Sequence, residues 1–198
     1  MKLVIGLAGL PLAGKETVTI KLEELFHADN LTVSRHRFSD ILRETLDLWG
    51  MPRGRANEQR LAQIMQRPGD GFPEGVLARA IKARLEKNTA DVGILDGMRW
   101  NVDDDMMREF PADGIKSVVI YVDADEDHRF ARLQGRNRNN EATTTREQFA
   151  VLGHQPNEIY IPKIGEHADI RLVNNYATVA EFEQDIEKMY REKLKGLI

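Results

Sequence analysis

Five apolar, β-rich runs punctuate the chain: KLVIGLA (2–8), LTVSRHRF (31–38), VGILD (92–96), IKSVVIYVD (115–123) and DIRLVN (169–174). The first, third and fourth are nearly continuous in apolar residues, as expected of strands covered on both faces. Between the runs the apolar period lengthens to that of a helix. Val18, Leu22, Leu25 and Phe26 recur at helical spacing, as do Val76, Leu77, Ala80, Ile81 and Leu85, with Pro73 suited to the first turn. Near the end, Val179, Phe182, Ile186 and Met189 form a stripe, and Thr178 with Glu181 matches a capping box. Strands alternating with helices predict an α/β fold built on a doubly wound, five-stranded parallel sheet.

Two segments depart from this alternation. Residues 50–72 are polar, basic and punctuated by Gly and Pro; residues 135–167 are long and mostly polar, with Thr145 and Gln148 placed to cap a short helix. Insertions of this kind on α/β folds often carry binding loops or lids. No repeat or linker divides the chain, so one domain is expected over 1–198.

Composition narrows the function classes. The 198 residues suffice for one α/β domain with a proper core. A net charge of −4 argues against a nucleic-acid partner recognised by overall charge. The absence of cysteine excludes disulfides, Cys-ligated zinc and a thiol nucleophile. The opening MKLVIGLAGL flows straight into a Gly/Lys loop, so it reads as a first strand rather than a signal peptide. No stretch approaches the roughly 20 apolar residues a membrane helix needs. The expectation is a cytoplasmic protein with no membrane partner. Nothing in the pattern specifies an oligomeric state.

The chemistry is concentrated after the first run, in GLPLAGKET (9–17). A Gly-rich turn between a strand and a helix converges backbone N–H groups on one spot, and the helix N-terminus adds its positive dipole end. Gly9 and Gly14 permit close backbone approach, and Lys15 supplies a mobile positive charge for outer phosphates. The span Gly9, Leu10, Pro11, Leu12, Ala13, Gly14, Lys15, Glu16 and Thr17 is the candidate nucleotide loop. The plain alternative is a strand–turn–helix connection with an exposed lysine.

This loop resembles that of the adenylate-kinase type of nucleoside-monophosphate kinase, G-x-P-G-x-G-K-G-T. Gly9, Pro11, Gly14, Lys15 and Thr17 match; Leu12 and Glu16 each stand where that pattern has glycine. Later segments resemble the same family in the same order. FSDILRE (38–44) is similar to S/T-G-D-x-L-R, which implies that Arg43 grips the acceptor's phosphate. LDGMRW (95–100) is similar to D-G-x-P-R, one residue shorter, which implies that Asp96 holds magnesium-bound water and Arg99 faces the acceptor. DEDHRFARLQGRNR (125–138) is similar to R-L-x-x-R, which implies that Arg132, Arg136 and Arg138 close over the transferring phosphoryl group. ADIRLVNN (168–175) is similar to A-D-x-x-I-x-N, which makes Asn174, Asn175 and Tyr176 base-contact candidates. The bland readings are solvated arginines at 43, 132, 136 and 138, a turn-capping Asp96 and an ordinary turn at 174–176. Similar landmarks occur in dephospho-coenzyme A kinases.

The resemblance implies a P-loop kinase fold, with an acceptor-binding region at 38–72 and a lid region at 136–167. It implies ATP and Mg²⁺ as cofactors, Thr17 and Asp96 at the metal, and a nucleotide or nucleotide-like small-molecule acceptor. Arg43, Arg99 and Asp96 would hold that acceptor. A hydroxyl acceptor would need a general base, and Asp40 is the candidate by position. A nucleotide-binding regulator without transfer activity is the competing class, motivated by Leu12 and Glu16. The five histidines show no metal-ligand spacing, and Asp103–Asp105 reads as a helix start.

Overall fold

The computed structural model describes residues 1–66, 75–135, 143–152, 155 and 158–198. Strand β1 (Leu3–Ala8) runs into the Gly-rich loop and then helix α1 (Lys15–Ala28). Strand β2 (Val33–Arg37) leads into α2 (Phe38–Leu48), α3 (Arg55–Gln66) and α4 (Val76–Glu86). Then come β3 (Val92–Met98), α5 (Asn101–Glu109), β4 (Lys116–Asp123) and α6 (Glu126–Gly135). Helices α7 (Arg146–Leu152) and α8 (Ile161–His167) precede β5 (Ile170–Val173) and α9 (Val179–Met189).

The five strands form one parallel sheet in the order β2-β3-β1-β4-β5, as the alternating pattern predicts. β1 is central and buried along its whole length because helices cover both faces. On one face Leu3, Ile5 and Leu7 pack with Val18, Leu22 and Phe26 of α1 and Phe182 and Ile186 of α9. On the other, Val4 and Ala8 pack with Leu42, Ile81, Met107 and Ile164 from α2, α4, α5 and α8. From β1 the chain crosses to the edge strand β2, returns to place β3 between them, and then passes to β4 and β5 on the other side of β1. This topological switch opens a crevice at the carboxyl ends of the strands, where α/β folds place ligands.

The α9 cap forms as expected: the Thr178 side chain accepts a hydrogen bond from the Glu181 amide. Thr145 and Gln148 likewise exchange hydrogen bonds at the start of α7. Pro73 lies outside the described residues. The apolar period assigns no helix to 50–72, yet α3 forms there. Its buried residues are Leu61, Ala62 and Met65, a stripe too narrow to stand out against a polar background. Among the described residues no helix is long and apolar enough to cross a membrane.

Candidate active site

The loop after β1 is shaped by close contact. A Cβ on Gly9 would lie 2.3 Å from the Val122 carbonyl oxygen, and one on Gly14 would lie 2.3 Å from Asn174 Nδ2. Neither position has room for a side chain. Gly14 is the N-cap of α1, and no side chain caps that end. The helix therefore opens its first amides into the loop, where an anion is favoured by the dipole. Lys15 Nζ donates to the carbonyls of Gly9 at 2.6 Å and Leu10 at 3.2 Å, which draws the ammonium across the loop's concavity. Burial pulls its pKa down to about 8; Asp96 and Glu158 oppose this and Arg99 and Arg129 reinforce it.

The two departures from the glycine pattern have different consequences. Leu12 takes a left-handed backbone, φ 67°, the conformation glycine would adopt without strain. Glu16 turns away from the loop toward β2, where Arg35 Nη2 donates to it at 2.7 Å and Arg37 Nη2 at 2.5 Å. Partial burial works to raise its pKa, but the Arg35 and Arg37 contacts outweigh this and hold it below the ordinary carboxylate value. Its charge is thus met by arginines of the edge strand rather than set against the phosphate cup.

Asp96 and Arg99 reach the crevice from the end of β3. There the register against β1 slips, so that Leu7 faces Asp96 while Ala8 faces Met98. The extra residue is Gly97, φ 94°, and this bulge re-aims the strand end. Asp96 is largely buried and lies 3.5 Å from Arg37 Nε. The turn that follows is fixed by Asp103, whose Oδ2 accepts from the amides of Arg99 at 2.8 Å and Trp100 at 2.9 Å. Asp103 is fully buried, and burial lifts its pKa to about 7 against those two hydrogen bonds. It belongs to the expected Asp103–Asp105 helix start, but as a buried turn-holder.

Arg132 and Asn174 meet beneath the loop. Arg132 Nη1 donates to the carbonyls of Leu12 at 3.1 Å and Ala13 at 3.4 Å. Its Nη2 donates to the Asn174 carbonyl at 2.7 Å and to Asn174 Oδ1 at 2.9 Å. Asn174 Nδ2 in turn donates to the Ala13 carbonyl at 2.8 Å. The Arg132 fork, expected to close over the phosphoryl group, braces the loop through these contacts. Arg136 and Arg138 lie outside the described residues, as do the other positions of 136–142 and positions 153, 154, 156 and 157. Asn175 bonds Asp125, and the Tyr176 hydroxyl donates to Asp185.

The residues expected to meet an acceptor lie at the neighbouring rim. Arg43 Nε donates to Glu58 at 3.1 Å, and Nη1 reaches Asp40 at 3.4 Å, tying α2 to α3. Arg99 Nη1 donates to Glu158 at 2.5 Å, and Trp100 stacks at a tilt on Tyr160, ring centroids 5.5 Å apart. Glu158, Arg35 and Arg37 escaped the sequence reading. Arg35 and Arg37 share one face of β2 by strand alternation, which was a readable signal. Glu158 sits in a polar stretch without period, so no local signal marked it.

No family model matches the chain, and no curated protein matches it. Solved structures do. TT1252 from Thermus thermophilus aligns with TM-score 0.56 at 19% identity, covering 98% of this chain and 99% of that one. APE1195 aligns with TM-score 0.56 at 21% identity, covering 96% and 93%. The Mycobacterium tuberculosis APS kinase CysC, solved in complex with AMPPNP and APS, aligns with TM-score 0.54 at 15% identity, covering 96% and 98%. The likeness is one of fold: an all-parallel five-stranded sheet with helices on both faces, shared with these structures along nearly the whole chain.

Proposed function

We propose that this protein is an ATP-dependent phosphotransferase acting on a small nucleotide-like acceptor, in the manner of a nucleoside-monophosphate kinase. The observation that carries the reading is the uncapped start of α1 opening into the Gly9–Gly14 loop, with the Lys15 ammonium drawn across it. That arrangement supplies converging amide donors and one positive charge to a polyphosphate tail. Phosphoryl transfer asks mainly for in-line placement and charge neutralisation. Lys15 and the α1 amides bind the outer phosphates. Arg99 and Arg43 orient the acceptor from the β3 and α2 side. Asp96 and Thr17 offer hard oxygen donors beside the loop, which suits magnesium, and the ion would neutralise charge on the transferring group.

A second reading, a dephospho-coenzyme A kinase-like enzyme with a hydroxyl acceptor, is favoured by one observation. Arg43 already faces two carboxylates, Asp40 and Glu58, so its charge is largely met without an acceptor phosphate. In that reading Asp40 takes the hydroxyl proton as the oxygen attacks. The test is coupled ADP release with ATP–Mg²⁺ and a panel of nucleoside monophosphates and dephospho-coenzyme A. Transfer lost in Lys15→Ala supports the phosphotransferase. Nucleotide binding without ADP release against every acceptor would defeat it. Among active acceptors, loss in Arg43→Ala with Asp40→Asn intact marks a phosphate acceptor, and the reverse pattern marks a hydroxyl.

A further inference from the structure

Glu158 lies 59 residues along the chain from Arg99 and belongs to no motif in the sequence, yet it is the carboxylate that meets this arginine. The pair is lopsided in exposure: the Arg99 side chain is 42% exposed and Glu158 only 4%. The carboxylate thus sits behind the guanidinium, on the protein side, rather than across its open face. Only Nη1 of the fork is used; among the described residues no other side chain accepts from Arg99. The backbone at Arg99 is fixed independently by Asp103. The same turn is docked a second time where Tyr160 meets Trp100.

We propose that Glu158 is the positioning residue of the acceptor-side arginine: anchored behind Arg99, it aims the exposed remainder of the guanidinium at the acceptor's anionic group. This rests on the phosphotransferase reading and adds a residue to it. An unanchored arginine carries rotamer entropy, some of which is lost on gripping an anion. A fork held by one nitrogen has lost part of that freedom before the acceptor arrives. A carboxylate buried against a guanidinium is expensive to desolvate, so the pairing is close and directional. The segment before α8 is thereby joined to the end of β3, and the acceptor meets both as one surface.

The experiment compares wild type, Glu158→Gln, Glu158→Asp, Arg99→Ala and the Arg99→Ala/Glu158→Gln double variant. The acceptor is the panel member that wild type phosphorylates fastest. At pH 6.5, where Lys15 keeps its proton in every variant, Glu158→Gln is expected to raise the acceptor KM roughly tenfold while leaving the ATP KM within about twofold, and Glu158→Asp to recover part of the loss. In the Arg99→Ala background, Glu158→Gln is expected to leave the acceptor KM unchanged, because its effect on the acceptor passes through Arg99. A merely structural role would instead add to the Arg99→Ala effect and move the ATP KM as well, and either result overturns the proposal. So does an unchanged or lowered acceptor KM in Glu158→Gln. Thermal unfolding checks that each variant folds; if Glu158→Gln does not, Glu158→Asp completes the same cycle, with a smaller rise in acceptor KM expected and again none in the Arg99→Ala background. A wild type that phosphorylates no acceptor overturns the phosphotransferase reading and this inference together. An active wild type with an indifferent Glu158→Gln overturns this inference alone.

Discussion

Leu12 shows how one residue carries strain inside a binding loop. A leucine at φ 67° costs about 1–3 kcal/mol relative to a relaxed backbone. Its side chain joins neither apolar core, so packing returns little. A glycine there would relieve the strain and give back about 0.5–1 kcal/mol through greater unfolded-state freedom. Leu12→Gly is therefore expected to stabilise the protein by up to about 1 kcal/mol in urea denaturation. Gly9→Ala is expected to destabilise it, because its new Cβ would meet the Val122 carbonyl at 2.3 Å. A Leu12→Gly variant less stable than wild type would show that the leucine side chain matters more than its backbone. Glu16 is the contrasting case. Its identity reads as a charge conflict in sequence, and only the position of Arg35 and Arg37 on β2 resolves it.

At the scale of elements, the Gly-rich loop is held by parts that arrive late in the chain. Arg132 from α6 donates to the carbonyls of Leu12 and Ala13, and Asn174 from the end of β5 donates to that of Ala13. Asn174→Ala removes the donor to Ala13 and an acceptor for Arg132, both in a buried setting. A loss of about 1–3 kcal/mol in equilibrium unfolding is expected, together with weaker nucleotide binding in titration. Arg132→Lys should behave like a deletion, since one ammonium cannot span acceptors that a planar fork reaches together. Full retention of nucleotide affinity in Asn174→Ala would mean that the loop holds its shape unaided. Elements themselves were legible wherever their period was strong. The five strands, α1, α4 and α9 follow from apolar spacing, and α7 and α9 from their caps. Helix α3 was not, because its fold contribution rests on three buried positions.

The charge at Lys15 is a property of the whole molecule. Four groups face it: Asp96 ending β3, Arg99 in the turn beyond, Glu158 before α8 and Arg129 in α6. With its pKa near 8, Lys15 loses its proton as pH rises through that value in the free protein. A bound polyphosphate favours the ammonium and raises that pKa, so binding above pH 8 must take up a proton. Titration calorimetry of an ATP analogue at pH 8.5, in buffers of different ionisation enthalpy, is expected to show net uptake and an affinity that falls with rising pH. Lys15→Ala should lose the Lys15-linked uptake; an unchanged uptake would place the titrating group elsewhere. What the sequence determined by itself was local: strand and helix periods, caps, a Gly-rich turn ahead of a helix, and the residue types gathered at strand ends. These follow from interactions a few residues apart, and the parallel sheet follows from their alternation. Tertiary structure alone decided which charges meet. The Arg99–Glu158 pair, the Arg132–Asn174 brace and the arginines facing Glu16 join residues up to 161 positions apart. No short-range pattern encodes those separations, because the contacts exist only once the sheet has brought its strand ends to one edge.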